Sequence, residues 1–386
     1  MNSKYLSIQF ILGTVLGSVI ACSPTRFSQS KNESTLCDHV TACVVGTQSI
    51  DINQSFKVGS GKVDILFVND NSASMSKNQI QLAAKFSGFI QALDSKSVDY
   101  RIAITTTDLA KVSQEPLISF ANGNKYITQS DADRSTLFYK SIVRNETIKC
   151  EDFITSSFGT NGPLFSNIMY YPAYGAGYAA NCPSPDTRGI YTASNVISAN
   201  SNSFIRADAN LNVIVISNDN ERKGAALEEN DRATAFTGMM QQNYPTKYWD
   251  FNSIIVRDLA CKDLQTLKTA SGQVVMTSSG PAIAGGIGLE YMNLSNSAAR
   301  DIDNNPRPRG KILDLCESNY ANHFTTMATQ ISEGSRLFTL KCTPSAEPVV
   351  MPASVPHTWS GDKVVFGRGS EGITVSIKYS CYTGPT

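Results

Sequence analysis

The sequence predicts an α/β fold, with a doubly wound, mostly parallel central sheet flanked by helices and a small C-terminal β-extension. Three observations point there. The run at 63–68 contains one polar residue, is rich in branched and aromatic side chains, and is too short for a helix, so it is expected to be a buried strand. It breaks into a polar cluster, and 77–93 then places Ile80, Ala83, Ala84, Phe86, Ile90 and Leu93 at helical spacing. Further apolar runs at 99–108, 211–217, 251–256 and 310–316 alternate with helical patterns at about 190–200, 228–242 and 320–332, and 336–342 is expected to be the last strand of the main sheet.

Ligands of open α/β sheets sit where strands give way to loops at their carboxyl ends. Asp70, Ser72 and Ser74 fall at that point of the first core strand. Asp-x-Ser-x-Ser offers one carboxylate and two hydroxyls at alternate positions of a tight turn, with no thiolate or imidazole. Such an oxygen-only set suits Mg²⁺ first, then Mn²⁺ or Ca²⁺, and does not suit zinc. The strand Asp64-Ile-Leu-Phe-Val68 followed by Asp70-Asn-Ser-Ala-Ser-Met75 resembles the first strand and metal-ion-dependent adhesion site of the von Willebrand factor A family. The resemblance implies a cation held by loops at the top of the sheet, its open position filled by a carboxylate of a protein or glycan partner.

The same resemblance implies a threonine from a second loop, for which Thr187 is the candidate and Thr192 the reserve. It also implies an aspartate just after the strand at 211–217. Asn218 stands there, with Asp219 and Glu221 behind it. Either Asp219 takes over, the slightly preferred reading, or Asn218 supplies a neutral amide oxygen.

Residues 1–21 have the form of an export signal, with Lys4 ahead of an apolar stretch. Val19-Ile-Ala-Cys22 resembles a bacterial lipobox, which would make Cys22 a lipidated first residue anchored to the outer membrane, facing the surface or the periplasm. Residues 22–56 are Ser-, Asn- and Thr-rich and are expected to be a tether, with an edge strand as the other reading for its last part; the von Willebrand A-like domain would then span 57–342 and the extension 343–386.

Nine cysteines minus Cys22 leave eight, an even number that in an exported chain suggests disulfides. Local arguments favour Cys37 with Cys43, Cys150 with Cys182, Cys261 with Cys316, and Cys342 with Cys381. None forms a C-x-x-C pair, so redox and zinc-ribbon roles are not expected.

The stretch 109–185 is long and scattered with Gly, Pro, Tyr and Asn, which marks either a functional insertion or small hidden elements. Tyr170, Tyr171, Tyr174 and Tyr178 sit among glycines there, a composition suited to partner binding or to ordinary loop packing. The segment Asp301-Ile-Asp-Asn-Asn305 lacks the Gly and closing Glu of a calcium loop and is assigned to solvent.

With 33 basic and 33 acidic residues, intermixed, nothing suggests nucleic acid. The three histidines, His39, His323 and His357, have no nucleophile context, so no catalytic activity is expected. The expectation is therefore a monomeric, cation-dependent adhesin. An envelope scaffold subunit and, behind it, a hydrolase-like protein with a vestigial metal site are the other readings.

Overall fold

A computed structural model of the chain describes residues 48–383 apart from 59–60, 97, 159–171, 185, 223–225, 267–275, 278–279, 282–284, 318–319 and 371. The expected export signal, Cys22, the Cys37–Cys43 loop, Tyr170 and Tyr171 lie outside the described residues.

The first strand, Gln48–Lys57 (β1), falls where the tether's last part had an edge strand as its other reading, and Lys62–Asn69 (β2) carries the motif. After it come Ser76–Ser95 (α1), Asp99–Thr106 (β3), Leu109–Val112 (α2) and Ile127–Thr128 (β4). Four helices follow, Arg134–Ile142 (α3), Asn145–Phe158 (α4), Pro172–Asn181 (α5) and Gly189–Ala199 (α6), then Asn210–Ser217 (β5), Ala233–Asn243 (α7) and Trp249–Ile255 (β6). Leu259–Leu264 (α8), the small hairpin of Met276–Thr277 (β7) with Gly280–Pro281 (β8), Leu289–Asn296 (α9), Ala298–Arg300 (β9), Pro306–Pro308 (β10) and Ile312–Asp314 (β11) lead to Tyr320–Gly334 (α10). The chain ends in Leu337–Thr339 (β12), Val349–Met351 (β13), His357–Ser360 (β14), Lys363–Phe366 (β15) and Thr374–Thr383 (β16).

The central sheet has six strands in the order β11-β6-β5-β2-β3-β4, parallel except for the short edge strand β4. Alternation along each strand feeds two cores. Val63, Ile65 and Phe67 face α1, α3 and α10, while Leu66 and Val68 face α6 and the elements beside it. The stripe that α1 buries is Gln79, Leu82, Ala83, Phe86, Phe89, Ile90 and Leu93. Ile80 and Ala84 are therefore not part of it: both are exposed, and the apolar face is rotated about one position from the expected one.

The run at 336–342 does not complete the central sheet. Its strand β12 pairs with β15, and β11 is the edge of the main sheet instead. Two three-stranded sheets, β1-β16-β13 and β12-β15-β14, enclose a core of their own that includes Val350, Val364, Phe366, Val375 and Ile377. The C-terminal extension thus supplies four strands, β13 to β16, of a small six-stranded sandwich whose other two are β12 and the N-terminal strand β1. Phe56 of β1 stacks on Phe338 of β12 with ring centroids 4.1 Å apart. Cys342–Cys381 staples this unit, and Cys150–Cys182 and Cys261–Cys316 are also formed.

Gly310 fixes how β11 approaches β6. A Cβ at Gly310 would stand 1.8 Å from the Phe251 carbonyl oxygen, inside backbone that cannot give way. Gly310→Ala is expected to lower the unfolding free energy by roughly 3 kcal/mol through overpacking, measured by urea denaturation.

Candidate metal centre

Strands β2 and β5 are neighbours, yet the strand that follows β2 lies on one side of the pair and the strand that follows β5 on the other. That reversal is the topological switch point, where the carboxyl ends of the strands open a crevice. Asp70 leaves β2 at this point and Asn218 leaves β5.

Asp70 is fully buried. Its amide donates to the Ile216 carbonyl at 2.9 Å, Oδ1 accepts from the Ser72 amide at 2.9 Å, and Oδ2 accepts from the Ser217 hydroxyl at 2.6 Å. The Ser72 and Ser74 hydroxyl oxygens stand 3.4 Å apart, and Asn218 Nδ2 donates to Ser74 Oγ at 3.0 Å. So Asp70, Ser72, Ser74 and Asn218 converge. Asp219 joins through its backbone, whose amide donates to Ser217 Oγ at 3.0 Å, while its carboxylate lies against Gly286. Of the two residues after β5, Asn218 is the one whose side chain reaches the serines.

Thr187 is buried beside the end of β3, where it bridges Asp108 and its carbonyl accepts from the Arg222 amide at 2.5 Å. The Thr192 hydroxyl donates to the Gly189 carbonyl at 3.2 Å within the first turn of α6. Glu221 is drawn into that same helix start, its two oxygens accepting from the Ile190 amide at 2.9 Å and the Tyr191 amide at 3.2 Å. Burial pushes its carboxyl up to about 8.

Several supporting residues were not evident from the motif. Gln79 Nε2 donates to the Asp70 carbonyl at 2.8 Å, and the Thr147 hydroxyl donates to the Asn71 carbonyl at 2.7 Å. The Arg144 amide donates to Gln79 Oε1 at 3.0 Å, and Asn69 Nδ2 donates to the Ile142 carbonyl at 2.8 Å. The insertion is therefore helical where it meets the motif, and it clamps the turn. A glutamine inside the apolar stripe of α1 was the one available signal. Ser217 gave none, because a serine at a strand end is ordinary.

Tyr178 of α5 is half-buried; burial, then the charges of Asp70 and Asp108, push its phenol up to about 12. It thus stands within electrostatic reach of the site. Tyr174 lies in the same helix, which Cys150–Cys182 ties to α4.

The donor set is one carboxylate, two hydroxyls and the Asn218 amide oxygen, to which Ser74 Oγ donates at 3.3 Å, and it fits a hard divalent cation. A second cluster, Cys261, Asp314 and Cys316, offers nothing to a soft metal because its two sulfurs are joined in a disulfide. Of the described histidines, His323 Nε2 lies 2.8 Å from the Asp314 carbonyl oxygen and His357 Nδ1 lies 3.0 Å from that of Val355, so both have backbone partners. Among the described residues no helix is long and apolar enough to cross a membrane.

No family model and no curated protein matches the chain. Solved structures resemble it distantly. Proximal thread matrix protein 1 from the mussel byssus is 9% identical over 73% of this chain and 48% of its own, with a TM-score of 0.32. The pilus adhesin SpaC from Lactobacillus rhamnosus GG is 9% identical over 87% of this chain and 41% of its own, with a TM-score of 0.31. The human COPII-coat protein Sec24c is 9% identical over 86% and 42%, with a TM-score of 0.30. The chain spans less than half the length of each, and likeness at this level says nothing about function.

Glu146 anchors the clamp, its Oε1 accepting from Arg144 Nε at 2.8 Å and Lys111 Nζ at 2.9 Å. Burial alone would raise its carboxyl, but the Arg144 charge and the hydrogen bonds from Arg144 and Lys111 prevail and hold it down at about 2. A depressed folded value stabilises above the unfolded value of about 4.5, and that contribution disappears as pH falls from there toward 2. Glu146→Gln is expected to destabilise by about 2 kcal/mol at neutral pH, with the gap to wild type closing at about pH 2–3 in urea unfolding curves.

Proposed function

We propose that this chain is a divalent-cation-dependent binding protein of the von Willebrand factor A type, acting as an adhesin on a bacterial surface. One observation carries the reading. A buried carboxylate, two hydroxyls 3.4 Å apart and an amide converge at the switch point of a parallel sheet, on loops that β2 and β5 hold in place. Asp70, Ser72, Ser74 and the Asn218 amide would hold Mg²⁺, with Mn²⁺ or Ca²⁺ as substitutes. A cation there supplies a Lewis-acidic position for a carboxylate of a protein or glycan partner. With Asp70 as the one carboxylate of this set, the protein neutralises little of the ion's charge, which favours an anionic sixth ligand from outside. Thr187 and Asp219 are the candidates for contact through water, and Tyr178 for contact with the partner.

Export fits the three disulfides of the described residues, since disulfides persist in oxidising compartments. Anchoring through Cys22 rests on the lipobox resemblance and would leave the protein held to the outer membrane by lipid alone.

Thermal unfolding in EDTA, and then with Mg²⁺, Mn²⁺ or Ca²⁺, tests the site. A cation bound only by the folded chain stabilises it by about 2.7 kcal/mol at a hundredfold excess over its dissociation constant. That gain is expected in wild type and is expected to vanish in Asp70→Asn and shrink in Ser74→Ala. If wild type gains nothing from any of the three cations, the cation mechanism fails.

A further inference from the structure

At the opposite end of the sheet, where β6 and β11 begin, lies a cleft of about 500 Å³ between α10, the β9–β10 hairpin and Arg368 of the sandwich. That volume falls within the range of sites that take small organic ligands. Thr326, Thr329 and Gln330 line it from one face of α10. Thr329 Oγ1 donates to the Thr325 carbonyl at 2.9 Å, which leaves its lone pairs open to a donor from outside.

The charge of the cleft restricts the ligand. Four cations line it, Arg307, Lys311, Arg336 and Arg368. Four carboxylates balance them: Asp301 and Glu333 are in the wall, and Asp250 and Asp303 pair with Arg307 and Arg336. A phosphate or sulfate site needs positive charge that is not already paired, and here Arg307, Arg336 and Arg368 each face a carboxylate. What the cleft offers is a dense set of donors and acceptors of both kinds beside the carbon surfaces of Tyr248, Ile302 and Pro308.

We propose that this cleft binds a neutral saccharide. Vicinal hydroxyls act as donor and acceptor at once, which matches carboxylates, amide and guanidinium set side by side, and the C–H faces of a sugar ring match Ile302 and Pro308. The site shares no residue with the Asp70 cluster, so its occupancy does not depend on a divalent cation.

Saturation-transfer NMR on the folded chain in EDTA, with maltose, cellobiose and N,N′-diacetylchitobiose as probes, decides the matter. Transfer to at least one disaccharide is expected, and binding is expected to weaken about tenfold or more in Thr329→Trp, which fills the cleft from an exposed helix position, and in Gln330→Ala. Lys311→Met, on an exposed coil residue, is expected to weaken binding too and guards against a helix defect in the first two variants. No transfer from any of the three sugars, equal transfer in all three variants, or displacement of the sugar by equimolar inorganic phosphate would each overturn the proposal. Because EDTA is present throughout, failure here leaves the cation reading untouched, and failure of the cation reading leaves this one standing.

Discussion

A carboxylate removed from water must be met by donors, since an unpaired buried charge is far more costly than any single contact is favourable. Asp70 is removed from water entirely, and its two oxygens are met from two different segments, the Ser72 amide of its own turn and the Ser217 hydroxyl at the end of β5. The second bond crosses the switch point. It sets the end of β5 against the end of β2, and through the Asp219 amide on the same hydroxyl it sets the course of the chain after β5. The position of Asn218 beside Ser74 follows from that one shared serine.

The turn itself would be poorly determined without the insertion. A loop that leaves a buried strand carries carbonyls that need partners, and those of Asp70 and Asn71 find them in Gln79 and Thr147. Gln79 in turn is oriented by the Arg144 amide, so α1 and the start of α4 hold the motif from both sides. The disulfide Cys150–Cys182 limits how far α5 can depart from α4, which keeps Tyr178 near Asp70 and Asp108.

What the sequence disclosed was periodicity. Alternating and continuous apolar runs located β2, β3, β5 and β6 to within a few residues, and helical spacing located α1, α6 and α10. Periodicity does not name a partner, however. The runs at 48–57 and 336–342 have strand composition, but nothing local says that they pair with β16 and β15 rather than with the central sheet. The same limit explains the site. Asp70, Ser72 and Ser74 are neighbours in the chain and were legible together, whereas Ser217 is selected only by the tertiary approach of β5. On α1, a polar Gln79 in the stripe made Ile80 the natural inward residue by hydrophobicity, and the hydrogen bond to the Asp70 carbonyl reversed that choice.

The small sandwich takes both ends of the α/β unit, since β1 runs into β2 and β12 follows α10. The seam between them is set by backbone approach and by one buried cation. A Cβ at Gly61 would lie 2.4 Å from the Ser335 carbonyl oxygen, so only glycine lets the two chain segments close. Next to Ser335, the Arg336 guanidinium is buried, donating to the Phe366 carbonyl of the sandwich and to Asp303 beyond the β9 strand. A buried guanidinium loses its hydration and is held only if its donors are met, so the seam opens only with the loss of both bonds. The Asp301–Asn305 segment is therefore structural, joining sandwich to body through Asp303, and the cleft beside it exists only while that joint is closed. The two candidate sites differ in this respect. The Asp70 cluster depends on the pairing of β2 with β5, deep in the sheet, whereas the cleft depends on the docking of the sandwich, and a change that loosens the Arg336 joint would remove the second while leaving the first in place.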